Sequence, residues 1–257
     1  MCQYSADTPL FPRFYTQSRD VLNKQGFRLD GRRSYEAREI SVEFGVLENV
    51  DGSCIYRQGL TKVLASVIGP AENKNFRARS TQATVECDFI TAPFAGIDRK
   101  NVSKSSRVNK EKALVIQQTF ENVIQVELLP QSHIQINVIV LQNSGSSLAC
   151  AFNAVCGALL HAGVPMKDIV TASTASVVDE VPLLDLSSME TSIVGRLVTL
   201  AVENFSGNVA AVQSEDRISI ENLEMAMELA TSGSKIIFDT IRESLRRYSS
   251  EADPVVM

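Results

Sequence analysis

The stretch Val138 to Asp168, VIVLQNSGSSLACAFNAVCGALLHAGVPMKD, carries four signals in order: an apolar strand, a Gly/Ser turn, a helix and a sharp stop. Asn143, Ser144, Gly145, Ser146 and Ser147 supply the turn, and Ser146 or Ser147 is placed to accept hydrogen bonds from the first free N–H groups of the helix. Leu148, Ala151, Phe152, Val155, Leu159 and Leu160 fall on helical spacing, while Ala149, Cys150, Ala154, Cys156 and Ala158 fill the other sides. A helix with so little polar surface belongs inside a domain. Gly163 suits the left-handed position that ends it, and Pro165 prevents it from resuming. The N-terminus carries free N–H groups and a partial positive charge, which is the local chemistry of an anion site.

Upstream of this stretch, ISVEFGVL (Ile40 to Leu47), the run beginning Cys54-Ile55-Tyr56-Arg57 and KVLASVI (Lys62 to Ile68) are separated by Gly-containing turns. Such spacing predicts an antiparallel meander. ATVECDFI (Ala83 to Ile90) predicts a further strand, and Asn109 to Val123 an amphipathic helix with Val115, Ile116, Thr119, Phe120 and Val123 on its inner stripe. Strands are also expected over Ile124 to Leu129 and His133 to Leu141. Downstream, Ile169 to Val178 and Pro182 to Leu186 form a hairpin around Asp179-Glu180, and Arg196 to Glu203, Val209 to Gln213 and Arg217 to Ile220 continue the sheet. A last helix runs from about Glu221 to Tyr248, interrupted at Gly233. The order predicts an α+β domain, a mixed sheet with packed helices, over 28–249. Residues 1–27 read as an N-terminal extension and 250–257 as a tail.

At 257 residues the chain is long enough to bury a substantial core. It has no apolar run of about eighteen residues and its first residues lack a signal peptide's apolar core, so the expected location is cytoplasm or nucleus, with no membrane partner. Five scattered cysteines without a CxxC pair read as free thiols in a reducing compartment, with no metal site. A net charge of −5 argues against coating nucleic acid with the whole surface, but leaves room for a local basic path.

Two segments supply such a path. ENKNFRARS (Glu72 to Ser80) holds Lys74, Arg77 and Arg79, and IDRKNVSKSSRVNKEK (Ile97 to Lys112) holds Arg107, Lys110 and Lys112 among its cations. Taken alone, either run is a solvated loop; in an acidic chain, clustered cations point to a polyphosphate backbone. Apart from Phe76 no aromatic interleaves them, so base stacking is weakly represented. LLDLSSMET (Leu183 to Thr191) places Asp185 after an apolar strand and Glu190 nearby, a pattern for acid chemistry or a metal that also suits plain turn formers. His133 and His161 have no ligand-like partner in sequence and read as structural.

RLDGRR (Arg28 to Arg33), GVLENVDGS, KVLASVIGP, the 138–168 stretch and LLDLSSMET, in that order, resemble the RNase PH family of phosphorolytic 3′ exoribonucleases and their ring-forming relatives over most of the chain. The resemblance implies the RNase PH-like fold (ribosomal protein S5 domain 2-like). In active members the helix-opening turn reads GGTR, and its Thr and Arg hold the attacking phosphate. The corresponding residues here are Gly145, Ser146, Ser147 and Leu148, so a hydroxyl remains and the guanidinium is gone. Active members also carry two aspartates six residues apart; Asp185 matches the first and Thr191 stands at the second. A degenerate site at Ser147, Leu148, Asp185 and Thr191 therefore implies a non-catalytic protein without cofactors.

The resemblance further implies a ring subunit of the RNA exosome. Its expected partners are RNA, other RNase PH-like subunits in a six-membered ring, S1/KH cap subunits and a hydrolytic exoribonuclease, in nucleus, nucleolus and cytoplasm. Its work is rRNA processing and mRNA turnover, with Lys74, Arg77, Arg79, Arg107, Lys110 and Lys112 on the RNA path. One alternative is an active phosphate-dependent 3′-5′ exoribonuclease using Ser147, Asp185 and a borrowed arginine such as Arg107. Another is a small RNA-binding protein acting alone.

Overall fold

The computed structural model describes residues 21–23, 25–72, 83–96, 99, 106–178, 180–214 and 217–252. Its first sheet is ordered β1-β2-β3-β5-β4, from β1 (Ile40–Phe44), β2 (Gly52–Gln58), β3 (Thr61–Glu72), β4 (Thr84–Thr91) and β5 (Ser132–Gln142). The expected meander is there: β1, β2 and β3 pair antiparallel in chain order. β5 inserts between β3 and β4 and runs parallel to β4, so α1 (Arg107–Val123) is the crossover that parallel pairing requires.

The second sheet is ordered β7-β6-β8-β9, from β6 (Val170–Val178), β7 (Val181–Leu184), β8 (Val198–Glu203) and β9 (Val209–Ser214). The sequence predicts one sheet and two are present, because α2 (Ser147–Ala162) needs an apolar wall on both sides. It packs on β2 and β3 of one sheet and on β6 of the other, with twelve of its residues buried. α1 lies beside it, the rings of Phe120 and Phe152 meeting at 6.1 Å. Gly163 ends α2 in the left-handed conformation at φ 68°, as the sequence predicts.

β6 is buried on both faces, and its alternation serves two helices. Val170 and Ala172 join the core around α2, where Asn153 Nδ2 donates to the Ala172 carbonyl at 2.9 Å and Ala172 N donates back to Asn153 Oδ1 at 2.7 Å. On the other face Thr171 and Ser173 donate their hydroxyls to the Ser234 and Ala230 carbonyls of α4 (Ile220–Ala252). Asp168, at the entry to β6, accepts from Ser206 N and Phe205 N and so fixes the turn between β8 and β9.

Several expectations are corrected. The 124–129 segment is not a strand: Ile124 forms an isolated bridge with Met166, and Val126–Leu128 is a short 3-10 turn. Gln125 N donates to Pro165 O and Lys167 N to Val123 O, which ties this segment to the exit of α2 rather than to a sheet. Residues 217–219 are irregular, and Ile220 opens α4. α4 continues through Gly233, where a Cβ would come 2.5 Å from Leu184 Cδ1, so the missing side chain permits close packing instead of a break. α3 (Ser188–Val194) has no counterpart among the elements expected from sequence. Cys54, Cys150 and Cys156 are buried free thiols and Cys87 is half-buried; burial pushes Cys156 up to about 12 and leaves it inert.

Candidate functional site

The turn into α2 is a surface of backbone pressed against backbone. Gly145 adopts φ 99°, and a Cβ there would lie 2.4 Å from the Leu186 carbonyl, so only glycine lets the turn meet the loop after β7. Thr61 at the start of β3 donates its hydroxyl to Gly145 O at 2.8 Å and accepts from Ser144 N at 3.1 Å. Ser188 N donates to Ser144 O at 3.0 Å. The loop itself passes into α3 through a capping box, with Ser187 N donating to Glu190 Oε2 at 2.8 Å and Glu190 N to Ser187 Oγ at 3.4 Å.

Ser146 is the N-cap residue of α2, but its side chain does not cap, contrary to the sequence expectation. Its hydroxyl donates to Asp185 Oδ1 at 3.0 Å and shares a 2.6 Å contact with Thr174 Oγ1. Asp185 is 1% exposed and sits at φ 53°, a conformation aspartate tolerates. Arg38 grips it with Nη2 on Oδ1 at 2.6 Å and Nε on Oδ2 at 2.8 Å, while Arg38 N adds a third bond at 2.9 Å. Burial opposes the charge on Asp185, but the Arg38 hydrogen bonds and charge outweigh it and hold the carboxyl below the usual range. The same pairing, against burial, raises Arg38. A carboxylate held this way has no proton to give at neutral pH.

The RLDGRR motif forms the outer part of this clasp. Arg28, 4% exposed, donates Nη1 to Leu184 O at 2.6 Å and lies 3.0 Å from Glu190 Oε1 through Nε, out of line for a hydrogen bond. Burial draws Arg28 below the usual guanidinium range, with Glu190 opposing it. Arg32 donates to the Asp185 and Glu36 carbonyls. Both acidic residues of LLDLSSMET are thus counter-ions of N-terminal arginines, and among the described residues no group of His, Cys, Asp or Glu converges on a metal. His161 holds the end of α4, its Nε2 3.0 Å from Tyr248 OH.

A cleft of about 290 Å³ opens over the head of α2, with Ser147, Leu148, Ser188, Thr191, Thr199 and Lys112 among its lining residues. Ser147, Leu148 and Thr191 therefore line one cleft, but Asp185 lies behind them in its ion pair. Among the described residues, the cation that lines this cleft is Lys112, whose Nζ also lies 5.9 Å from the Phe89 ring centroid. Arg107 and Lys110 are exposed on the first turns of α1. Lys74, Arg77 and Arg79 lie outside the described residues. Sequence reasoning missed Arg38, whose partner is 147 positions away, and Ser146, which differs from Ser147 only in which way the turn points it. The Ser187–Glu190 capping box was readable.

The site is thus a buried helix presented head-first to an open cleft, between two sheets latched by an N-terminal arginine cluster. The model for domain 1 of the 3′ exoribonuclease family matches residues 36–165 and that for domain 2 matches 168–233, and the chain belongs to this RNase PH family. An Arabidopsis thaliana protein, the exosome complex component RRP41 homolog, is 37% identical over 236 residues, covering 91% of this chain and 98% of that protein. The Homo sapiens exosome complex component RRP41 is 37% identical over 235 residues, covering 91% of this chain and 96% of its own. Among solved structures, rice Rrp46 superposes with a TM-score of 0.75 at 26% identity, over 85% of this chain and all of that one.

Proposed function

We propose that this chain is a non-catalytic ring subunit of the RNA exosome, of the RRP41 type, acting in 3′-5′ processing and degradation of RNA. Its neighbours are other RNase PH-like subunits in a six-membered ring, S1/KH cap subunits and a hydrolytic exoribonuclease that receives the threaded strand. The complex works in nucleus, nucleolus and cytoplasm. The folding unit is 28–249, flanked by the 1–27 extension and the 250–257 tail.

One observation carries the lack of catalysis. Leu148 and Thr191 face the cleft where active relatives place a phosphate-gripping arginine and a second aspartate, and the remaining Asp185 is saturated by Arg38. Removing a charge-assisted hydrogen bond to phosphate costs about 3–4 kcal/mol of transition-state stabilisation, as for an oxyanion-hole donor. Loss of an acid group removes a further factor of roughly 10² to 10⁴. The second reading, a working phosphorolytic enzyme, draws on Lys112 in the cleft as a substitute cation. Incubating the reconstituted ring with RNA and inorganic phosphate separates the two: no nucleoside diphosphate release is expected, and phosphate-dependent release that disappears on Ser147→Ala would establish the second.

RNA guiding rests on Lys74, Arg77, Arg79, Arg107, Lys110 and Lys112. Neutralising Arg77, Arg79, Arg107 and Lys110 together weakens RNA binding by the ring while leaving its assembly intact. The slope of log affinity against log salt falls by roughly 0.7 for each phosphate that is no longer neutralised. Unchanged protection of RNA in a nuclease-footprinting assay would sink this assignment.

A further inference from the structure

Phe94 is 69% exposed, yet the turn that carries it is among the firmly anchored parts of the chain. Ala92 and Ala95 are 8% and 4% exposed, and Ala95 N donates to Ala92 O at 3.0 Å, closing a β-turn with Pro93 and Phe94 at its two central positions. Both ends are tied to β5 and its exit: Ala92 N donates to Val140 O at 3.0 Å, and Asn143 N donates to Ala95 O at 2.7 Å. Asn143 lines the cleft at the head of α2, so the turn is bonded directly to a residue of the cleft. Proline at the second position of a β-turn has its φ already set, and the aromatic that follows is presented on a backbone with little freedom left to lose.

The surroundings of Phe94 are those of a polynucleotide rather than of a protein core. Exposed Arg99 follows five residues on, Lys112 enters the cleft from α1, and the cleft is lined mainly by Ser, Thr and Asn, with Leu148 and Leu197 among them. Interface cores between proteins are depleted of charge, whereas single-strand sites combine cations that follow the backbone with rings on which bases stack. We infer that Phe94 is a base-stacking platform that holds a nucleotide of single-stranded RNA beside the cleft. This rests on the RNA-guiding reading above and adds a second aromatic to basic segments that hold only Phe76.

The reconstituted ring tests it with two probes of equal length, single-stranded oligoadenylate and an abasic oligomer that keeps the phosphates and loses the bases. Phe94→Ala is expected to weaken oligoadenylate binding roughly 5- to 100-fold and to leave the abasic strand unaffected, with Phe94→Trp retaining affinity. The chain contains no tryptophan, so Phe94→Trp also adds a fluorophore whose emission is quenched by oligoadenylate alone. Equal loss on both strands, or no loss on either, overturns the proposal. Failure of the Phe94→Ala and Phe94→Trp rings to assemble also overturns it and gives the ring face to a neighbouring subunit. If the unaltered ring binds neither strand, the RNA-guiding reading itself fails, an outcome distinct from the others.

Discussion

Replacing Asp185 with asparagine lowers the folding stability of the chain by about 3–5 kcal/mol, the cost of leaving one member of a buried pair without its partner. Asparagine has the same shape, so no cavity enters the comparison. What changes is that Arg38, its side chain only 9% exposed, loses the negative charge and one of the two oxygens it grips, with a donor NH2 group put in that oxygen's place. Removing both charges, as Asp185→Leu with Arg38→Leu, is less damaging than the sum of the single changes, and a double-mutant cycle in urea gives the coupling directly. The pH dependence has a fixed sign. A carboxyl held below its unfolded value contributes fully above that value, about 3.9, and the contribution fades as pH falls through the folded value. The gap between native and Asp185→Asn midpoints is therefore flat near neutrality and closes in acid. An unchanged midpoint at pH 7 would show that Asp185 is free for other work.

Gly52→Ala is expected to be as disruptive for a methyl group as any substitution in the fold. A Cβ at this position would lie 2.2 Å from the Ala158 carbonyl oxygen and 2.6 Å from the Ala162 Cβ, so the added carbon meets backbone and cannot be accommodated by rotating a side chain. β2 and α2 must separate, and overpacking of a core costs about 1–3 kcal/mol, here at the upper end. Because α2 is buried between the sheets, the shift also moves its head, and with it the cleft. Urea unfolding should show a lower midpoint with an unchanged slope. Gly163→Asn is the control: a Cβ there would meet nothing within 4 Å, and at φ 68° asparagine accepts the left-handed region at a helix end.

The parts of this architecture that could be read from the sequence are those in which composition repeats a physical constraint many times over. α2 is apolar on nearly all sides and ends at Gly163, so its existence and burial follow from residues alone. The hairpin of β6 and β7 and the meander of β1 to β3 are likewise marked by runs and turns. Ile124 to Leu129 misled because a short apolar run is compatible with any buried backbone. α3 is too short and too polar to show a stripe, and only its capping box announces it. The site divides the same way. Leu148 and Thr191 could be placed by comparison with a motif, whereas the fate of Asp185 depends on Arg38, brought in by the chain's path through the N-terminal clasp. No local pattern encodes a partner that far along the chain.

The boundary between the two family-domain models, at 165 and 168, divides the sequence but not the interior. The first strand beyond it turns alternate side chains toward a helix on each side of the boundary, so β6 is a party wall. Neither house stands dry without it. Recombination of the halves between relatives must therefore keep an amide side chain at 153 facing the backbone of residue 172, whatever side chain stands there, because that one amide–peptide handshake spans the boundary as surely as the linking residues do.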